Sequence, residues 1–276
     1  MITRLITSNV HGSDDCNYQF LTSMLVNESI AIDAGAIGLF SSPKEQEKIR
    51  HVLLTHSHID HLATLPIFVE NVFTGRPDPV IVYGSTPVLN CLQSDVFNNR
   101  IWPDFIELSK FPVSRFLDIK PFEPNQTITL EGINITSINP FEPNQTITLE
   151  GINITSININ HVVPTVGYIF DDGKSAIGYV SDTAETEEIW ERLNKQANLK
   201  AVFLEVTFPN HLQWLADVSK HLTPKTFKLE LQKLKKDVPI FAVHLKGRYR
   251  DQVAKEVADL NLSNVHITKF LKDYTF

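Results

Sequence analysis

The chain has 276 residues, enough for one large core or two small domains, and its 42% hydrophobic and 21% charged residues are those of an ordinary soluble protein. A formal charge of −7 argues against a broad basic surface for long nucleic acids, but not against a small anionic substrate, because bound divalent cations dominate the field around them. No apolar run approaches the roughly 20 residues that span a bilayer, the N-terminus turns polar too soon for a signal peptide, and Cys16 and Cys91 form no metal or disulfide framework, so a reduced cytoplasmic setting away from membranes is expected.

Residues 1–6 read as a first strand. Two apolar runs, 21–26 and 29–33, flank Asn27 and Glu28 as a hairpin, and Asp33, Ala34 and Gly35 close the second run. Residues 43–49 predict a short helix with Ser42 as its cap and Pro43 at its first position. Val52, Leu53 and Leu54 read as a buried strand, and directly after it come His56, His58, Asp60 and His61. Four potential ligands packed so closely favour a bound metal ion over a polar loop with chance histidines. Residues 62–73 are helix-like despite Pro66, 80–83 a strand and 87–97 a helix; 98–105 is an irregular aromatic segment and 114–120 a strand.

Residues 121–139 are then repeated without one difference as residues 140–158. Two copies are too few for a solenoid, so the repeat reads as a tandem duplication inside a fold already complete. Within one unit, 127–130 and 133–138 alternate as strands around Glu131 and Gly132, a hairpin. A fold that needs one hairpin can use copy one, copy two, or the start of one with the end of the other. Each choice leaves 19 residues to bulge out, which a surface loop accommodates at modest cost. The surplus strand is also an edge that leaves a homodimer open. Since His161 follows copy two closely, its ligation is expected to fix the register of the last strand of that copy, with the surplus upstream.

Downstream, 165–170 and 175–180 are strands joined by a turn at Asp171, Asp172, Gly173 and Lys174. A helix is predicted over 185–196, a strand over 201–206, and a helix from Thr223 and Pro224 to 236. A strand over 239–243, a helix over 252–259 and a strand over 265–268 complete the chain. Strands alternate with helices and no Gly/Ser/Pro-rich linker divides them, so one α/β domain over 1–276 is expected.

His161, Asp182 and His244 each follow a predicted strand, where a sheet presents side chains to a cleft. Each alone is more often structural. Together with the first cluster they give seven nitrogen and oxygen ligands, two incomplete shells sharing one carboxylate: a two-metal hydrolase site.

At this point the sequence resembles the metallo-β-lactamase superfamily, whose His-x-His-x-Asp-His signature matches residues 56–61 and whose later ligands match His161, Asp182 and His244 in order. The resemblance implies a four-layer αβ/βα sandwich. It implies one metal on His56, His58 and His161 and a second on Asp60, His61 and His244, with Asp182 bridging. Zinc suits this donor set best, and manganese or iron also fits. Residues 97–103, 205–210 and 220–224 narrow the resemblance to class II cyclic-nucleotide phosphodiesterases; residues 10–15 depart from it, where a more glycine-rich turn is expected.

The implied reaction is attack of a metal-bridging hydroxide on the phosphorus of cAMP or cGMP, giving the 5′-monophosphate. His221, oriented by Glu205, is the candidate acid for the leaving 3′-oxygen; the alternative for His221 is a cap on the helix that begins near Thr223. Trp102, Phe97 and Phe105 could stack on the base, or equally be core or dimer contacts, and Asn98 or Asn99 could read its edge; Lys246, Arg248 and Arg250 could meet phosphate or belong to a solvated helix start, and Thr22 and Ser23 could line the cleft. Three other readings stay open: a tRNA 3′-end-processing phosphodiesterase, for which no basic arm is visible, a non-catalytic nucleotide sensor, and lactam or thioester hydrolysis by superfamily analogy.

Overall fold

A computed structural model describes residues 1–6, 20–73, 78–130 and 151–276. The expectations made for residues 10–15, and for the interior of the hairpin in each repeat copy, therefore lie outside the described residues. The described residues form two compact units, Met1–Pro121 with Lys269–Thr275, and Phe122–Thr268 with Phe276. No helix among them is long and apolar enough to cross a membrane.

The first unit is built on a seven-stranded sheet. The strands are β1 (Ile2–Leu5), β2 (Met24–Val26), β3 (Ile30–Ile32), β4 (His51–Leu53), β5 (Val80–Gly84) and β6 (Leu117–Pro121), and the last strand of the chain, Asp273–Thr275, lies beside β1. Pairing is antiparallel up to β3 and parallel from β3 to β6. The helices are α1 (Pro43–Gln46), α2 (Ile59–Leu62), α3 (Leu65–Val72), α4 (Thr86–Cys91) and α5 (Phe105–Leu108). Ser42 caps α1 by accepting from Glu45 N, with Pro43 in the first turn as expected. The helix expected over 62–73 begins only at Leu65, because Pro66 has no N–H to give a preceding turn and so starts α3 behind Thr64, apart from α2. Leu65, Phe68, Val69 and Val72 of α3 are buried with Val52, Leu54, Val80 and Val82 in one core. Each such side chain contributes about 1.5–3 kcal/mol by leaving water.

The second unit repeats the strand pattern. Its order is β13 (Val265–Ile267), β12 (Ile240–Val243), β11 (Leu199–Glu205), β10 (Ala176–Tyr179), β9 (Thr165–Asp171), β8 (Ile152–Ile159) and β7 (Thr127–Leu130). The pairs from β7 to β10 are antiparallel and those from β10 to β13 parallel. The β9–β10 turn has Gly173 at φ 83°, a conformation that a side chain would strain. Helices α6 (Glu188–Lys195), α7 (Gln213–Ser219), α8 (Pro224–Leu231) and α9 (Arg250–Ala258) complete the unit. Trp190, Leu193, Phe227, Val253 and Val257 pack with Val202, Leu204, Ile240 and Ala242.

The repeat resolves in the third of the ways open to it. Strand β7 belongs to copy one and β8 to copy two, and they pair from Thr127↔Thr155 to Leu130↔Ile152. Because the copies are identical, this is the register one copy would adopt alone, with Leu130 opposite Ile133 across a two-residue turn.

Candidate metal centre

In the first unit the histidine cluster follows β4 and runs into α2. His56 and His61 are fully buried, and their ring centroids lie 4.1 Å apart; those of His56 and His58 lie 4.6 Å apart. Asp60 stands in the first turn of α2. The cluster is oriented by Asp33, which follows β3 at φ 59° and is fully buried. Asp33 accepts from Thr55 N (2.8 Å) and Thr55 Oγ1 (2.9 Å), and its Oδ2 lies 2.7 Å from His61 Nδ1. Having given its only proton to Asp33, the Thr55 hydroxyl accepts from His56 Nδ1 at 3.0 Å. Both rings are thereby held as Nδ1–H tautomers, and a metal would meet them at Nε2. Burial pushes the Asp33 carboxyl up, against the lowering pull of His61 and Thr55. Gly35 is dictated by close approach: a Cβ there would lie 2.0 Å from the Asp60 carbonyl oxygen and 2.6 Å from Thr22 N.

The second unit gathers the other set. His161, Asp182 and His221 present ligand atoms within 4.8 Å of one another, as do Glu205, His221 and His244. His244 Nε2 lies 3.4 Å from Asp182 Oδ2. Two residues here, Ser181 (φ 57°) and His244 (φ 59°), sit in the left-handed region just past their strands, a strain of the kind found at functional sites. Buried Glu205 closes β11, and its Oε1 lies 2.7 Å from His221 Nδ1. Glu205 also accepts from Thr183 N, Leu222 N and Thr207 Oγ1, the last at 2.6 Å. Thr207, its proton so committed, accepts from His244 Nδ1 at 3.0 Å. His161 Nδ1 donates to the Lys220 carbonyl at 3.0 Å.

These surroundings set the protonation of the rings. Burial pulls His161 down to about 4, keeping it neutral and fit to ligate at neutral pH. Burial also pulls on His221, but the charge and hydrogen bond of Glu205, with Asp182 behind them, outweigh it, and the net direction is up. A metal fits what the chain offers: buried imidazoles and carboxylates, with His56, His61, His161 and His244 each engaged at Nδ1 by a threonine, a carboxylate or a backbone carbonyl.

A family model for class-II cAMP phosphodiesterases matches residues 39–262. The chain belongs to the class-II cAMP phosphodiesterase family. It is similar to a probable 3′,5′-cyclic-nucleotide phosphodiesterase of Yersinia pestis, 24% identical over 245 residues, a match covering 80% of this chain and 63% of the relative, so the chain spans less than two thirds of that protein's length. Among solved structures it is similar to unliganded yeast PDE1 (TM-score 0.70, 16% identity, 97% of this chain and 96% of the other). It is also similar to the metallo-β-lactamase fold protein YhfI from Bacillus subtilis (TM-score 0.66, 14% identity, 99% and 98%). The fold is therefore the α/β metallo-β-lactamase fold that the resemblance implied.

Phe97 and Phe105 are core residues, their rings stacked 5.8 Å apart, so of the roles open to them packing holds and base stacking does not. Asn98 and Asn99 shape their own turn: Asn98 Oδ1 accepts from Arg100 N and Ile101 N, and Asn99 Oδ1 from Asp104 N. Trp102 is half-buried against the same core. Thr22 and Ser23 are buried struts, Thr22 N donating to the Asp60 carbonyl at 2.7 Å and Ser23 Oγ accepting from Ala36 N. Lys246 is half-buried, Arg248 is exposed over the Tyr249 ring, and Arg250 begins α9. His221 is not the cap of α8, since Thr223 and Thr226 close a reciprocal capping box there. Sequence reasoning missed Asp33, Thr55, Thr207 and Lys220 as orienting residues. For the first three a signal existed: a carboxylate or hydroxyl one or two residues beyond an apolar strand.

Proposed function

We propose that the chain is a metal-dependent 3′,5′-cyclic-nucleotide phosphodiesterase that hydrolyses cAMP, cGMP or both to the 5′-monophosphate. The reading assigns His56, His58 and His161 to one divalent ion and Asp60, His61 and His244 to another, with Asp182 shared and zinc as the natural occupant. When bound, such ions supply a water of lowered pKa and neutralise charge growing on the phosphoryl oxygens. The rest falls to the chain's own groups. His221, held at Nδ1 by Glu205, carries a second proton on Nε2, and gives that proton to the departing 3′-oxygen. Glu205 stabilises the imidazolium before transfer and keeps the ring from turning. Lys246 is the cation nearest in sequence to His244 and is the candidate partner for the anionic substrate.

The observation that carries this reading is the 2.7 Å contact between His221 Nδ1 and buried Glu205 beside the His161–Asp182 cluster, in a chain of this family. A ligand cluster alone would serve a sensor; an adjoining acid of raised pKa suits a reaction with a leaving group. The net charge of −7 supports a small substrate over a tRNA precursor. The test is direct. The purified chain, supplied with zinc or manganese, is incubated with cAMP, with cGMP and with a tRNA precursor. Release of 5′-AMP or 5′-GMP, abolished in Asp60→Ala, is the expected result. Cleavage of the precursor alone overturns the reading in favour of RNA processing, and nucleotide binding without turnover overturns it in favour of a sensor.

A further inference from the structure

Helix α7 ends at Ser219 and is capped by Lys220, which is left-handed at φ 54°. Helices that end this way normally place glycine or asparagine at the corner, because a longer side chain is strained there. A lysine in that position calls for a compensating role, and its contacts supply one. Its carbonyl accepts from His161 Nδ1 at 3.0 Å. Its Nζ donates to the His161 carbonyl at 3.2 Å and to Asn160 Oδ1 at 2.9 Å. In a right-handed helix the last carbonyls run along the axis; the left-handed corner is what turns this one towards the histidine.

The other side of Asn160 is held too. Its Nδ2 donates to the Glu185 carbonyl at 2.9 Å, and its own carbonyl accepts from Ala184 N at 2.8 Å. The two-residue corner Asn160-His161 is thus gripped by Lys220 from one direction and by the loop after Asp182 from the other. The residue that follows Lys220 is His221, whose ring lies 5.0 Å from that of His161, edge to face.

We propose that Lys220 is a positioning residue, whose amine clasps Asn160 and His161 and so fixes the placement of His161 relative to Asp182 and His221. The proposal rests on the reading of His161 as a metal ligand. A lysine that served only to end α7 would be improved on by glycine, whereas a clasp is lost with the amine.

The experiment uses the full chain loaded with zinc and compares Lys220→Gly, Lys220→Met, Lys220→Arg and His161→Ala. Zinc stoichiometry and affinity are measured against a chromophoric chelator, alongside thermal unfolding and kcat and KM for cAMP. Lys220→Gly keeps the backbone corner and so folds; the clasp predicts about a 10-fold or greater loss of affinity at one zinc, a fall in kcat at little-changed KM, and partial recovery in Lys220→Arg. If Lys220→Gly and Lys220→Met hold zinc as tightly as the wild type while His161→Ala loses one equivalent, the clasp is wrong and the ligand assignment stands. If His161→Ala itself retains both zinc ions at wild-type affinity, the ligand assignment is what fails.

Discussion

Thr207 offers the sharpest test of how the second unit is wired. Its hydroxyl is fully buried and makes a 2.6 Å bond to Glu205 Oε2, a bond to a charged group of the kind that contributes about 1.5–3 kcal/mol. It also accepts from His244 Nδ1 at 3.0 Å, and a buried donor stripped of such an acceptor costs roughly 1–3 kcal/mol. Thr207→Val keeps the shape and removes the hydroxyl. Glu205 Oε2 retains Leu222 N as a donor, so the two losses overlap, and the expected destabilisation is about 3 kcal/mol in urea unfolding of the metal-free chain. With His244 free to turn, zinc affinity should fall by roughly 10–100-fold. Thr207→Ser should restore both. A Thr207→Val chain within about 0.5 kcal/mol of wild type and with unaltered zinc affinity refutes the network. Lost stability with unaltered zinc affinity refutes only the orienting role.

Three further outcomes follow from the same geometry. Since Glu205 drives His221 upward and the acid must be protonated, kcat for cAMP should fall as pH rises through the raised pKa of His221; Glu205→Gln should move that alkaline limb to lower pH, and an unmoved limb removes His221 from the reaction. Buried His51 is held down at about 4, so the unfolded chain binds its proton first as pH falls below about 6.5; His51 should contribute roughly 2.5 kcal/mol to the loss of stability between pH 7 and pH 4.5, and urea unfolding of His51→Gln should show that much less acid sensitivity. Deleting residues 132–150 leaves Glu131 and Gly151 as a two-residue link between strands already paired at Leu130↔Ile152; unfolding should show a chain no less stable, gaining up to about 2 kcal/mol from the shorter closure, and a loss of more than about 1 kcal/mol would mean that the duplicated residues hold the hairpin up.

What the sequence shows well is whatever is set by neighbours along the chain. The Ser42-Pro43 start, the Asp171–Lys174 turn and the Thr223-Pro224 start are local chemistry, and each lies where expected. The candidate ligands stood out because they cluster in sequence or follow apolar runs. Helix α7 was not, for Trp214 and Val218 point to solvent and blur the apolar stripe that announces a helix. Asp33 was read only as the end of a strand, because its partner His61 is brought to it by the parallel pairing of β3 with β4, which no local pattern reveals. The aromatics at 97 and 105 stayed open between two roles for a related reason: a phenylalanine that packs on a core and one that stacks on a base look alike until burial is known.

The two units solve the same orientation problem with the same parts. Thr55 lies two residues past β4 and Thr207 two residues past β11, strands that occupy equivalent places in the two sheets. Each hydroxyl donates to a buried carboxylate, Asp33 or Glu205, and accepts from a histidine Nδ1 at 3.0 Å, His56 or His244. Each carboxylate holds a second histidine at 2.7 Å, His61 or His221. The difference lies in where the carboxylate comes from and what it serves. Asp33 arrives from the neighbouring strand and steadies two histidines of the metal-binding signature. Glu205 closes the same strand that leads to Thr207, and it divides its influence between a ligand-type histidine and one whose proton affinity is raised. On the function proposed above, the same carboxylate–threonine unit would orient metal ligands in one half of the chain, and in the other it would also serve the acid, His221, whose pKa is raised. Loss of the threonine in the first unit should therefore lower stability and metal affinity but leave the pH dependence of turnover in place, whereas loss of its counterpart in the second should act on all three.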